Sequence, residues 1–182
     1  MEKATNNKVK KIAILGPEST GKSVLCEQLA KHYNTVFVPE YARTYFDEHD
    51  INNYSTADLE VIAKNQLKLE KEYMDKANGF LFCDTSLITV KIWSVYQFNK
   101  VPEFITSSIK PSDYDLYLIS NNDVKWEADA QRRHENLREH LFIWNKHELQ
   151  KLGVDYKIIK GIGEERLQST IKLIDEAFGL RQ

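Results

Sequence analysis

A layered α/β fold, with a parallel sheet of five strands covered by helices on both faces, follows from three features of this 182-residue sequence. Short apolar runs alternate with longer stretches whose apolar residues recur at spacings of three and four, as strands joined by crossover helices require. Between the first run and the first such stretch lies G-P-E-S-T-G-K-S, residues 16–23, which fills every fixed position of G-x-x-x-x-G-K-[ST]. A composition of 42% hydrophobic and 29% charged residues gives enough core for one domain and no room for a second catalytic one.

The polar residues 1–8 read as a flexible tail. Residues 9–15 form the first strand, and residues 24–33, with Leu25, Leu29 and Tyr33 at helical spacing, the first helix. A short second strand, 35–38, is stopped by Pro39, which cannot donate to a ladder, so Glu40, Tyr41, Ala42 and Arg43 emerge at a strand's carboxyl end. In open parallel sheets ligands bind along that edge. Ser55 with Asp58 three residues on resembles a capping box, and Leu59, Ile62, Gln66, Leu69 and Tyr73 continue a long helix that Asn78-Gly79 is expected to close. Residues 80–84 are a continuous apolar run ending in Asp84, a strand buried on both faces whose tip reaches the same edge. Two helices, 86–98 and 103–109, precede a fourth strand at 115–120. Residues 121–129 are polar apart from Trp126, and a charged helix is expected from there to about Leu152, with Leu137, Leu141, Trp144 and Leu149 along one side. Residues 154–160 give the fifth strand, 160–163 a loop, and Leu167, Ile171, Ile174 and Phe178 the apolar stripe of the last helix.

The 25 basic and 27 acidic residues are mixed along the chain with no block of like charge, so neither nucleic acid nor a membrane is expected as a partner. Cys26 and Cys83 lack any metal or redox spacing and read as buried small hydrophobes in a reducing compartment. The five histidines also lack metal spacing; even His140 and His147 stand seven apart. No apolar leader or membrane-length run occurs, which predicts a cytoplasmic protein. A homo-oligomer is compatible with the sequence.

The motif at 16–23 is a P-loop, so the fold expected is a three-layer P-loop NTPase of the nucleoside- or nucleotide-kinase kind, residues 1–182 as one domain, with a helical lid over about 121–150. Gly16 and Gly21 let the backbone bend against phosphates, Lys22 reaches the β/γ oxygens, and the Ser23 hydroxyl serves Mg²⁺; Glu18, Ser19, Thr20 and Val24 complete the cradle. The loop alone leaves open a kinase, a motor or a GTPase switch. The nearest approach to the guanine-reading N-K-x-D pattern, Asn145-Lys146-His147-Glu148, lies in a helical stripe and ends in Glu, and a hexameric motor would need a longer chain. A kinase needs a carboxylate to take the acceptor's proton, an acceptor pocket and mobile cations. Glu40 and Asp84 end strands expected to be neighbours, with Tyr41, Tyr45, Phe46 and Trp93 near them, and Arg132, Arg133 and Arg138 lie in the lid segment. Asp84 is the Mg²⁺ candidate with Ser23, unless it caps the following helix; Glu40 is the candidate general base, with Asp84 second.

The P-loop together with P-E-Y-A-R at 39–43, D-T-S at 84–86 and N-N-D-V-K-W-E-A-D-A-Q-R at 121–132 resembles the ribosylnicotinamide kinase domain of bacterial NadR-type NAD-biosynthesis proteins over nearly the whole chain. The resemblance implies transfer of the ATP γ-phosphate to the 5′-hydroxyl of nicotinamide riboside. Longer members add a DNA-binding unit and an adenylyltransferase with H-x-G-H; this chain carries neither motif, so only kinase activity is expected. It further implies that Arg132 is the lid cation, that Trp126, Tyr41 or Trp93 stacks on the cationic ring, and that Asn122, Asp123 and Asp129 bond the ribose or cation, beside Arg43 and Tyr45. Gly161 and Ile162 follow the last strand, where related kinases hold adenine by backbone contacts. One departure stands out: Ala130 replaces the glycine of W-x-x-D-G-x-R, at a cost of about 1 kcal/mol if that position needs a positive φ. ATP against GTP, and a different nucleoside, nucleotide or slow binding switch in place of this kinase, remain open on the sequence.

Overall fold

The computed structural model describes residues 8–132 and 134–180; most of the tail and Arg133 lie outside these. Five parallel strands, β1 (Lys10–Leu15), β2 (Val36–Val38), β3 (Phe80–Asp84), β4 (Leu116–Ser120) and β5 (Tyr156–Ile159), form one sheet in the order β2-β3-β1-β4-β5. Ile14 pairs with Asp84 and Ile12 with Leu116, so β1 lies between the two most buried strands. The strands read as unbroken apolar runs because helices cover both faces. On one face Ile12, Ile14, Phe82 and Leu118 meet Leu25 and Leu29 of α1 (Lys22–His32) and Ile171 and Ile174 of α7 (Gly163–Phe178). On the other, Ala13, Leu81, Cys83 and Ile119 pack against Ile88 and Ile92 of α4 (Leu87–Phe98) and Leu141 and Leu149 of α6 (Arg138–Leu152). Cys26 and Cys83 are both buried free thiols.

A third apolar cluster lies among helices alone. Tyr45 of α2 (Tyr41–Glu48), Leu59 and Ile62 of α3 (Thr56–Met74), Leu87 and Val90 of α4, and Ile105 of α5 (Glu103–Ser108) build it. The sequence reading gave no helix at α2. Its first free N–H, that of Tyr41, is bonded by the Gln66 side chain of α3 at 2.8 Å, a tertiary contact that stands in for a local cap. The capping box of α3 forms as expected, with the Ser55 N–H donating to Asp58 at 2.8 Å. Asn78-Gly79 does not close α3, which ends at Met74. Gly79, at φ +70°, instead turns the chain into β3, and its carbonyl accepts the Lys10 N–H at 2.8 Å.

The charged helix expected from Asp129 begins only at Arg138, after a short 3₁₀ turn (Glu135–Leu137). Residues 121–132 and His134 are irregular backbone crossing the P-loop, and α6 belongs to the sheet's cover. Ala130 is not among the described residues with positive φ, so it replaces glycine here without backbone strain.

Candidate active site

The carboxyl ends of β1, β2 and β3 bring the P-loop, Glu40 and Asp84 together. Gly16 leaves β1 at φ +131°, and a Cβ there would stand 2.8 Å from the Ser120 carbonyl of β4, so only glycine fits. Gly21 at φ +73° and Ser19 at φ +53° turn the loop again before α1. No side chain caps α1 and its first turn holds no acidic residue, which leaves its N–H groups and positive dipole end for an anion. Lys22 Nζ donates to the Pro17 carbonyl at 2.7 Å and Thr20 Oγ1 to the same oxygen at 3.0 Å, holding the loop curled.

Asp84 is 2% exposed and accepts the Ser23 hydroxyl, while its Oδ1 has no partner. Burial raises its pKa against the opposing pull of Lys22, Ser23 and Arg43. A hydroxyl beside a buried carboxylate with a spare oxygen fits a hard divalent cation that takes its remaining ligands from phosphate and water. Asp84 does not cap α4; Ser86 does, accepting the Ile88 N–H at 3.2 Å. Glu40 sits at the N-terminus of α2. Burial first, then the neighbouring Asp84 charge and Glu18, push its pKa up to about 7 despite Lys22 and Arg43. Its side chain keeps 23% of its surface, enough to meet a ligand.

These groups open onto one cavity of about 300 Å³. Of the residues anticipated from sequence, Gly16, Glu18, Ser19, Thr20, Gly21, Lys22, Ser23, Val24, Glu40, Arg43, Trp93 and Arg132 line it. Asp84 lies behind Ser23. Several others do not reach the cavity. Tyr45 is a core residue, its hydroxyl on Asp58, and Tyr41 packs beside it because α2 turns both toward the third cluster. Asp123 is drawn away by the Gly161 N–H at 2.7 Å and by Asn121. Asn122 and Trp126 are half-buried in the segment after β4 and do not line the cavity, Trp126 with the Arg138 guanidinium 5.9 Å over its ring. Both backbone groups of Gly161 are committed, its N–H to Asp123 and its carbonyl to Arg166 at 3.0 Å, and the Ile162 side chain beside them is exposed.

Asp129 ties the segment after β4 to α2. Burial would raise its pKa, but the Arg43 hydrogen bond, the Gln131 N–H and the charges of Arg43 and Arg132 hold it below the usual range. Arg43 Nη1 lies 2.9 Å and Arg132 Nε 3.0 Å from the same Asp129 oxygen. Gln131 Nε2 donates to the Arg43 carbonyl at 3.1 Å and to Asp47 at 2.8 Å. The segment after β4 and the start of α6 also hold the P-loop: the Glu127 N–H donates to Ser19 Oγ at 2.8 Å, Arg138 to the Ser19 carbonyl at 3.2 Å, and the His134 N–H to Glu18 at 3.3 Å. Arg138 is therefore no solvated helix residue.

Sequence reasoning missed Asn52, Tyr54, Thr89, His134 and Asn145, all of which line the cavity. His134, one of the five histidines without metal spacing, packs 4.6 Å from the Trp93 ring. No periodicity could single out these residues. Among the described residues no group of three or more His, Cys, Asp or Glu is placed to hold a metal by itself.

A family model described as an AAA domain matches residues 11–166. The trifunctional NAD biosynthesis/regulator proteins NadR of Salmonella typhimurium LT2 and Escherichia coli K12 are each 31% identical over 127 residues, 68% of this chain. The chain spans 31% of the length of these curated relatives. A NadR protein in complex with NR superposes with a TM-score of 0.81 at 21% identity, covering 96% of this chain and 53% of that one. A second, in complex with NAD and AMP-PNP, gives 0.77 at 22% over 96% and 51%. Thymidylate kinase from Candida albicans gives 0.68 at 14% over 94% and 93%.

Proposed function

We propose, from the premise that this chain belongs to the AAA domain family and carries its P-loop module over residues 11–166, that it transfers the γ-phosphate of ATP to the 5′-hydroxyl of nicotinamide riboside. The product is nicotinamide mononucleotide, and the setting NAD salvage in the cytoplasm. The observation that carries the reading is that one cavity holds both a complete P-loop and, across it, a carboxylate with a pKa near 7. A donor site with a base facing it is what phosphotransfer to a hydroxyl needs, and a mere binding switch does not. The acceptor is supported by the NR-bound and AMP-PNP-bound relatives, which share the fold, and by kinship to NAD biosynthesis proteins.

Glu40 takes the proton from the 5′-hydroxyl as its oxygen bonds to the γ-phosphorus; the bond to the bridging oxygen breaks and ADP departs. Lys22 leaves the Pro17 carbonyl for the β/γ oxygens, and Arg132 meets the charge from the lid side. Ser23 and Asp84 would hold Mg²⁺, which neutralises charge on the phosphates. Trp93, lining the cavity, offers a face to the cationic ring. The lid, by docking on Ser19 and on Arg43, keeps water from competing as acceptor. Incubation with Mg-ATP and a panel of nucleosides tests the reading. ADP should appear rapidly only with nicotinamide riboside; rapid release with thymidine or a nucleoside monophosphate, or slow release indifferent to acceptor, refutes it.

A further inference from the structure

Thr89 of α4 and Asn145 of α6 line the cavity yet belong neither to the P-loop, nor to the lid, nor to the carboxylate pair. The two helices are tied side by side by Lys91 Nζ and Glu148 Oε2 at 2.6 Å. Asn145 is 2% exposed, and its Nδ2 donates to the Leu141 carbonyl of its own helix at 2.8 Å. Its Oδ1 has no partner, and neither has the buried Thr89 Oγ1. The Leu141 carbonyl decides which way the amide faces. Only the nitrogen can meet a carbonyl oxygen, so the atom left over is an acceptor. Ile92, Trp93 and Leu141 make the walls nearby apolar. Two buried, unpaired polar atoms beside an apolar wall are costly to keep unless a ligand completes them.

We infer that Thr89 and Asn145 form a subsite reading the ring substituent of the acceptor: Asn145 Oδ1 accepts an N–H of a primary carboxamide, and the Thr89 hydroxyl donates to its oxygen. This rests on the pyridine-riboside reading above. A ring carboxylate offers acceptors only, so it sets like partial charges against Asn145 Oδ1 and leaves that atom unpaired. The site therefore selects carboxamide over carboxylate.

The test compares the ribosides of nicotinamide and of nicotinic acid as acceptors with Mg-ATP, for the wild type, Asn145→Leu and Thr89→Val. The wild type should favour the carboxamide by about tenfold or more in kcat/KM. Asn145→Leu should raise KM for the carboxamide by about tenfold with a smaller change in kcat, and should leave the carboxylate compound unaffected, so the ratio collapses. Thr89→Val, nearly the same shape, removes a donor that an oxygen of either compound can use, so it should raise KM for both and leave the ratio near that of the wild type; Asn145→Ala decides the ratio if Asn145→Leu does not fold. Equal kcat/KM in the wild type, or a ratio that survives the substitution of Asn145, overturns the subsite and leaves the kinase reading standing. No turnover of either riboside, with another nucleoside phosphorylated rapidly, overturns both.

Discussion

In the proposed reaction Glu40 serves as the base because burial and the Asp84 charge raise its affinity for a proton to near neutrality. With a pKa of about 7, kcat/KM should fall roughly tenfold per pH unit below about pH 6 and level off above about pH 8. Glu40→Gln should cost about 10²-fold in kcat and abolish that limb of the profile; near wild-type turnover would remove Glu40 from the role. The same group affects stability. Its folded pKa lies above the ordinary 4.5, so between about pH 4.5 and 7 the folded state holds the proton more tightly, and stability falls as pH rises through that window. Glu40→Gln should therefore melt like the wild type near pH 4 and higher than it at pH 8, by about 2 kcal/mol. Gly16 is constrained differently. Gly16→Ala would put a methyl against the Ser120 carbonyl at a φ that alanine avoids, so urea titration should show a loss of about 2 kcal/mol or more together with weakened ATP binding.

Helix α2 and the segment after β4 are the elements in which sequence and structure part. Residues 41–48 end one turn after they have nucleated, bury only Tyr45 and follow a proline, so nothing local marks a helix there. Its stability comes from Gln66 and from the cluster with α3 and α4. Asp129, Gln131 and His134 stand in a stretch of helical composition but spend their polar groups on Arg43, Asp47 and Glu18, and those tertiary bonds outweigh propensity. The P-loop, β3 and the capping box were legible because each depends on near neighbours in the chain. Asn145, Thr89 and His134 were not, because packing alone turns them inward. Asp129→Asn should weaken the hold of both arginines on the lid. It should raise acceptor-independent ATP hydrolysis, measured as ADP released without riboside, by about threefold or more, while ATP affinity changes little.

For the molecule as a whole, β1 joins the two halves of the sheet and ends in the loop that faces the cavity. Phosphate binding there should be felt throughout the fold. At about 100 times its Kd, Mg-ATP adds about 2.7 kcal/mol, which for a chain of this length means a rise in Tm of roughly 5–10 °C. Lys22→Ala should lose most of that rise in a thermal-shift assay while melting close to the wild type without nucleotide. The apolar alternation that announced the sheet, and the motif at its centre, made this level of organisation the most readable from sequence.

Arg43, Asp129 and Arg132 meet where each still touches solvent, their side chains 38%, 37% and 26% exposed. Charges so placed are screened by dissolved ions, over about 10 Å at 0.1 M salt and about 3 Å at 1 M. In the proposed reaction the cover over the phosphates is thereby tied to the medium. Potassium chloride raised from about 0.05 to 0.5 M should increase wasteful ADP release in the wild type and change it little in Asp129→Asn, where the charge being screened is already gone.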